Sequence, residues 1–190
     1  MNKICVFCGS SVGNDPMYTE AARKLGKLMA ENNIGLVYGG GGIGLMGEIA
    51  NAVMSNNGQV IGVIPRFLAE KELGHQQISE LILTDSMHQR KQKMAELADG
   101  FIALPGGFGT LEELCEILTW VQLSIIEKPV AILNTNGFFD HLILLFEHMV
   151  NNGFLRESNR DILLQAKTPQ EIIKIMKKNA KIERRDLGLT

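Results

Sequence analysis

Short apolar runs alternate with helix-period segments along almost the whole chain, and that alternation limits the fold more tightly than any other feature. Strand-like runs lie at 3–8, 34–38, 59–64, 80–84, 100–104 and 129–133, with a weaker seventh at 161–165. Helix-period segments fall at 17–32, 44–56, 87–98, 110–124, 138–151 and 169–179. Strands that are apolar on both faces belong to parallel sheets, whose crossovers place helices over each face. The expectation is an α/β fold: a doubly wound, Rossmann-like parallel sheet covered on both faces, one domain spanning 1–190 with a basic tail from about 180. Residues 65–79 lack a period and read as an extended loop with a short helical turn.

A chain of 190 residues, 45% apolar, can bury a proper core. Its net charge of −2 argues against nucleic acid or an acidic membrane as the main partner. No stretch approaches the roughly 18 apolar residues of a membrane span, and Met1-Asn2-Lys3 does not open a signal peptide. A cytoplasmic protein is expected. Of the three cysteines, Cys5 and Cys8 point to opposite faces of one strand, and Cys115 falls on the apolar stripe of its helix. They read as reduced structural thiols in preference to a redox or metal site. No cluster has metal-ligand spacing, so no metal and no cofactor are expected. The basic stretch Lys177-Lys178 to Arg184-Arg185 reads as a solvated helix end and tail.

Ligands of such sheets bind beyond the carboxyl ends of the strands, near the switch in strand order. Three strand ends carry glycine loops: Gly9-Ser10-Ser11, the run Gly39 to Gly47, and Pro105-Gly106-Gly107-Phe108-Gly109-Thr110. The last opens a helix, whose first N–H groups lack internal partners and carry partial positive charge, a ready site for an anion. Glu113 stands one turn inside that helix, a carboxylate where an anion should bind, which points to chemistry. Thr110 and Glu113 also have capping-box spacing, so a purely structural role stays open. The Gly39–Gly47 run matches Gly-x-Gly-x-x-Gly twice, but the next strand ends in Pro65-Arg66 with no acid for a ribose hydroxyl, which disfavours a dinucleotide.

The helix after Ser86 places Arg90 on the stripe of Met87, Met94 and Leu97, with Ser86 and Gln89 at capping-box spacing. An inward arginine needs an anion or a carboxylate, unless it snorkels past the helix start. Lys91 could reach the same phosphate or be solvated; His88 reads as a rim residue.

Pro105-Gly-Gly-Phe-Gly-Thr-Leu-Glu-Glu113 resembles the Pro-Gly-Gly-x-Gly-Thr-x-x-Glu signature of the LONELY GUY family of cytokinin-activating phosphoribohydrolases, once labelled "possible lysine decarboxylase". Met87-His-Gln-Arg-Lys91, Cys8-Gly-Ser-Ser11 and the glycine run at 39–47 resemble further motifs of that family. The resemblance implies hydrolysis of a nucleoside 5′-monophosphate, including N6-modified purines, to free base and ribose 5-phosphate. It also implies that Arg90 and Glu113 carry catalysis. Glu72, Arg90, Lys91, Gly106, Gly107, Phe108, Gly109, Thr110, Leu111, Glu112, Glu113 and Thr119 would bind substrate, with Ser10, Gly40 and Gly41 as further candidates. The family's proline ahead of the first glutamate is replaced here by Ala69-Glu70-Lys71.

The chemistry also follows from the residues. Cleaving an N-glycosidic bond builds positive charge on the ribose, which a fixed carboxylate stabilises while accepting a proton from water. Two other classes compete: a pyridoxal-phosphate decarboxylase, which needs a pocket-facing lysine, and a non-catalytic nucleotide or cofactor carrier. The 110–124 helix has one apolar stripe at Leu111, Leu114, Cys115, Leu118 and Val121, and a second group at Ile117, Trp120 and Ile126. A second face needs a second surface, so a homodimer through this helix is expected, as the resemblance also implies.

Overall fold

A computed structural model describes residues 1–69, 75 and 78–180. The strands are β1 (Lys3–Phe7), β2 (Gly35–Tyr38), β3 (Val60–Pro65), β4 (Glu80–Thr84), β5 (Phe101–Ala103), β6 (Val130–Leu133) and β7 (Leu163–Ala166). The helices are α1 (Pro16–Glu31), α2 (Gly44–Ser55), α3 (Arg66–Ala69), α4 (Met87–Leu97), α5 (Phe108–Gln122), α6 (Asp140–Asn151), α7 (Glu157–Arg160) and α8 (Pro169–Asn179). The seven strands form one sheet in the order β4-β3-β2-β1-β5-β6-β7, every neighbouring pair parallel. The doubly wound α/β expectation holds for this single domain. None of the described helices is long and apolar enough to cross a membrane.

The winding follows from the alternation of side chains across each strand. From β1, Ile4 and Val6 face one core with α1, α2 and α8, while Cys5 and Phe7 face a second core with α4 and α5. Cys8 joins the first core, so the two thiols do lie on opposite faces, and burial pushes both pKa values up, with Glu113 adding to the effect. Both are neutral and inert as nucleophiles. Helix ends are marked locally: Asp15 caps α1 ahead of Pro16, and Thr168 with Glu171 closes a full capping box on α8. Lys177 and Lys178 occupy the last turn of α8, where cations complement the helix dipole, and Lys177 donates to Asn32 Oδ1 at 2.7 Å. The tail from 181 lies outside the described residues.

Two expectations about α5 need correction. The helix begins at Phe108, not Thr110, and its buried stripe is Thr110, Leu114, Ile117 and Val121. Cys115 is exposed, because at about 100° per residue it sits one position round from a stripe centred on Leu114 and Ile117. Ile117, expected on the second face, therefore belongs to the core.

α1 and α2 pack closely through Gly26, where a Cβ would stand 2.7 Å from the Ile49 carbonyl oxygen and 2.9 Å from Ala52 Cβ. Gly26→Ala would raise helix propensity by about 1 kcal/mol, yet overpacking against backbone costs roughly 1–3 kcal/mol. The variant is expected to be the less stable protein, with its urea midpoint below that of the wild type. A raised midpoint would mean that the two helices slide apart freely.

Candidate active site

The sheet reverses its strand order between β1 and β5, and the chain leaves these neighbours towards opposite faces: β1 into α1, β5 into α5. Their loops part and leave a crevice at the strand ends. Two backbone bonds close its floor, Leu104 N to Phe7 O at 2.9 Å and Gly9 N to Pro105 O at 3.0 Å. Gly106 is tucked beneath Thr110, and a Cβ on it would run into the Thr110 hydroxyl and approach Gly9 N to 2.8 Å. Above it, no other group among the described residues lies within 4 Å of where a Cβ on Gly107 or Gly109 would stand. Gly107 is the N-cap of α5 and supplies no side-chain cap, so the amides at the start of α5 remain available to an anion. The capping-box alternative fails: Thr110 is the third residue of the helix, with a buried side chain, and Glu113 is the sixth.

The Gly39–Gly47 run does a different job. The first amides of α2 donate to protein carbonyls, Leu45 N to Ser11 O and Met46 N to Gly9 O, each at 3.4 Å. Gly44, at φ 63°, has room for no side chain because Ser10 lies against it, and Gly47 lies against Gly42. The start of α2 is thus closed by the first loop, which is a physical reason why no pyrophosphate cradle forms there. Gly40 and Gly41 are buried and are not among the residues lining the described cleft, whereas Ser10 is.

Arg90 turns inward. It is 9% exposed, and its Nη2 donates to the Gly39 carbonyl at 3.3 Å and faces Glu113 Oε1 at 3.9 Å. Its Nε is buried without a partner among the described residues, which excludes snorkelling. Gly39 makes this possible, since a Cβ there would collide with the guanidinium. Ser86 caps α4 as expected, accepting from Gln89 N at 3.2 Å, but the Gln89 side chain bonds Asp85 N instead of closing back on the cap.

Glu113 is the electrostatic anomaly of the site. Burial raises its pKa to about 7; Arg90 and Lys91 act in the opposite direction, and Glu112 and Glu116 add to the rise. Arg90, Glu113, Phe108, Gly109, Thr110 and Glu112 line one cleft of about 290 Å³. A neighbouring, more apolar cleft of about 310 Å³ shares Gly9, Ser10 and Gly107 with it and also includes Gly106. Tyr18 and Phe138 stand edge to face at 5.8 Å on its wall.

Other candidates are not among the residues that line these two clefts. Lys91 bonds Glu116 Oε1 at 3.0 Å and also Glu112, spanning α4 and α5. Thr119 is exposed and donates to the Cys115 carbonyl at 2.8 Å, and Leu111 packs against the core. His88 is exposed, as a rim residue should be, and Glu72 falls outside the described residues. Sequence reasoning missed Gly39, Met46 and Met87, which also line the cleft; the double glycine pattern drew attention to phosphate binding and away from the arginine it admits.

Fold and site together define a Rossmann-like α/β protein with an open helix N-terminus at the switch point and an acidic centre beside it. Residues 46–176 match the family described as "Possible lysine decarboxylase". The chain is 47% identical over 174 residues to the cytokinin riboside 5′-monophosphate phosphoribohydrolase LOG2 of Arabidopsis thaliana, covering 92% of this chain and 82% of that one. It is 48% identical over 171 residues to the probable phosphoribohydrolase LOGL2 of Oryza sativa subsp. japonica, covering 90% and 70%. The chain belongs to the LONELY GUY family. A molybdenum cofactor binding protein from Rippkaea orientalis shares the fold at a TM-score of 0.69 and 24% identity, covering 93% of this chain and 95% of that one. Among the described residues, no lysine lines either of these two clefts.

A glutamate whose folded pKa stands near 7 instead of 4.5 takes up a proton on folding between those values. Its cost to stability is absent below about pH 4.5, grows as pH rises, and is complete above about 7. Glu113→Gln is therefore expected to be more stable than wild type at pH 8, by on the order of 1–2 kcal/mol once the loss of Arg90's partner is counted, and to lose that advantage near pH 4.5. Denaturant titrations at the two pH values check this. A deficit at pH 8 would show that the carboxylate stabilises the fold.

Proposed function

We propose that this protein hydrolyses the N-glycosidic bond of a purine ribonucleoside 5′-monophosphate, N6-modified purines included, to free base and ribose 5-phosphate. The observation that carries this reading is a buried carboxylate, Glu113, beside an open helix N-terminus and an inward guanidinium. Family membership and near-half identity to the phosphoribohydrolases support it. The residues need no metal or cofactor for this chemistry.

The 5′-phosphate sits on the amides of Gly107, Phe108, Gly109 and Thr110, with Gly106 keeping the loop low. Arg90 binds the same ligand and orients Glu113. Ser10 borders the ribose. As the C1′–N bond breaks, the electron pair leaves with the base and positive charge spreads over C1′ and the ring oxygen. The Glu113 carboxylate stabilises that charge and accepts the proton of the water whose oxygen bonds C1′; that proton passes through solvent to the departing base nitrogen, which restores the carboxylate and releases the neutral base. The scheme calls on no nucleic acid and no membrane.

Incubation with AMP and N6-isopentenyl-AMP is expected to release free base and ribose 5-phosphate. Glu113→Gln should lower kcat by about 10²–10⁴-fold while keeping AMP binding. With Glu113 titrating near 7, kcat/KM is expected to rise with unit slope through about pH 7. A limb that persists unchanged in the residual activity of Glu113→Gln would track the substrate's own phosphate and remove Glu113 from the role. Binding without release from any monophosphate would make the protein a carrier.

The same reading includes a cytoplasmic homodimer. Leu123 and Ile125 are 52% and 62% exposed at the end of α5, beside half-buried Leu118, Trp120 and Ile126. Light scattering is expected to give twice the chain mass of 21.0 kDa at micromolar concentration. A monomer mass across that range would refute the dimer.

A further inference from the structure

On the hydrolase reading the glycosidic carbon stands beside Glu113. Among the described residues, Glu113 lines the cleft of about 290 Å³ but not its neighbour of about 310 Å³. The bond from ribose to base therefore belongs to the first cleft, whose walls differ in chemistry. One wall carries Arg90, Glu112, Glu113 and the open amides of α5, which suit a phosphate and a sugar. The other has two thioethers, Met46 of α2 and Met87 of α4. Both flank Gly39 and its guanidinium. Met46 Sδ lies 3.2 Å from where a Cβ on Gly39 would stand, and Met87 Sδ accepts from Arg90 Nη1 at 3.8 Å. Met46 is 8% exposed and packs into the core under α2, whereas Met87 is half-buried at the first position of α4.

We propose that Met87 is a specificity-determining residue, whose thioether seats the purine base and adapts to substituents on its N6. This deepens the hydrolase reading and rests on it. A base is neutral, flat and aromatic, so a wall of carboxylates offers it little. Sulfur near the edge of an aromatic ring is a favourable contact, and an unbranched side chain with three rotatable bonds fits surfaces of different shape. Met46 shares the chemistry but not the freedom, since the core around it fixes its place, and it forms the floor behind. Met87 has both. It sits at a helix start, partly exposed, one turn ahead of Arg90, so it reaches the base while the guanidinium holds the phosphoribosyl end. A cleft that takes plain and N6-substituted purines needs one wall that yields, and Met87 supplies it.

The test is calorimetric binding to the full-length Glu113→Gln protein, which leaves nucleotides intact, with AMP, N6-isopentenyl-AMP and ribose 5-phosphate as ligands. Adding Met87→Ala is expected to weaken both nucleotides by about three- to tenfold and to leave ribose 5-phosphate, which has no base, unchanged. Adding Met87→Ile, apolar but stiff at its branched Cβ, should hold AMP near its starting affinity and weaken N6-isopentenyl-AMP by about fivefold or more. Equal loss of all three ligands in Met87→Ala would mean that the residue only supports Arg90. Unchanged nucleotide affinity would mean that the base lies elsewhere. Either result overturns the proposal. So does a Met87→Ile protein that does not discriminate between the two nucleotides, and this arm decides the matter if the alanine variant fails to fold. AMP binding no tighter than ribose 5-phosphate before any change at Met87 would leave the base without a seat and overturn it as well. Binding needs no turnover: absence of hydrolysis by the unaltered protein sinks the proposed function, while the isotherms decide the seat of the base separately.

Discussion

A carboxylate that is 12% exposed, 3.9 Å from its nearest cation and without a hydrogen bond among the described residues is costly to fold around. The strand ends are organised by that cost. Removing Glu113 from water disfavours its charge, and the one inward guanidinium offsets this only in part, so the group titrates near neutrality. Arg90 is equally dependent, since a buried guanidinium without Glu113 and the Gly39 carbonyl would be an unpaired charge. The pair is held near contact yet outside hydrogen-bond distance, which leaves both groups with bonding capacity for a third party. A site selected for stability alone would have closed that gap.

The glycine loops divide between support and binding. Gly39 admits the guanidinium, Gly44 admits Ser10, and Gly106 admits Thr110; each is small because another group of the protein occupies the space. Gly107 and Gly109 are small with nothing above them. Only the second kind leaves amides for a ligand. The amides at the start of α2 are bonded by the first loop, so among the described residues one of the three glycine-rich turns leaves open amides at a helix start.

That distinction explains what was legible beforehand. Strand alternation gave the sheet and its two cores because Ile4 and Val6 oppose Cys5 and Phe7 by simple parity. Arg90 was legible as an apolar stripe broken by a charge, and Glu113 as a carboxylate at an anion site. The start of α5 was misplaced because Thr110 and Glu113 satisfy capping spacing, whereas the actual cap, Gly107, has no side chain to signal it. The environment of Lys91 was not legible, since its partners lie about twenty positions away and meet it only through the packing of α4 beside α5.

The buried carboxylate also bears on the choice between hydrolase and carrier. A carrier benefits from the cup alone: backbone amides and one guanidinium bind phosphate, and a carboxylate beside them repels it. Placing Glu113 there weakens ground-state binding of an anion, and burying it weakens folding above neutral pH. Both penalties are tolerable where positive charge develops nearby during a reaction, because the same carboxylate then favours the transition state over the bound ground state. The glycosidic carbon of a nucleotide anchored by its 5′-phosphate is such a centre, which is why the acidic group, and not the phosphate cup, favours catalysis over carriage.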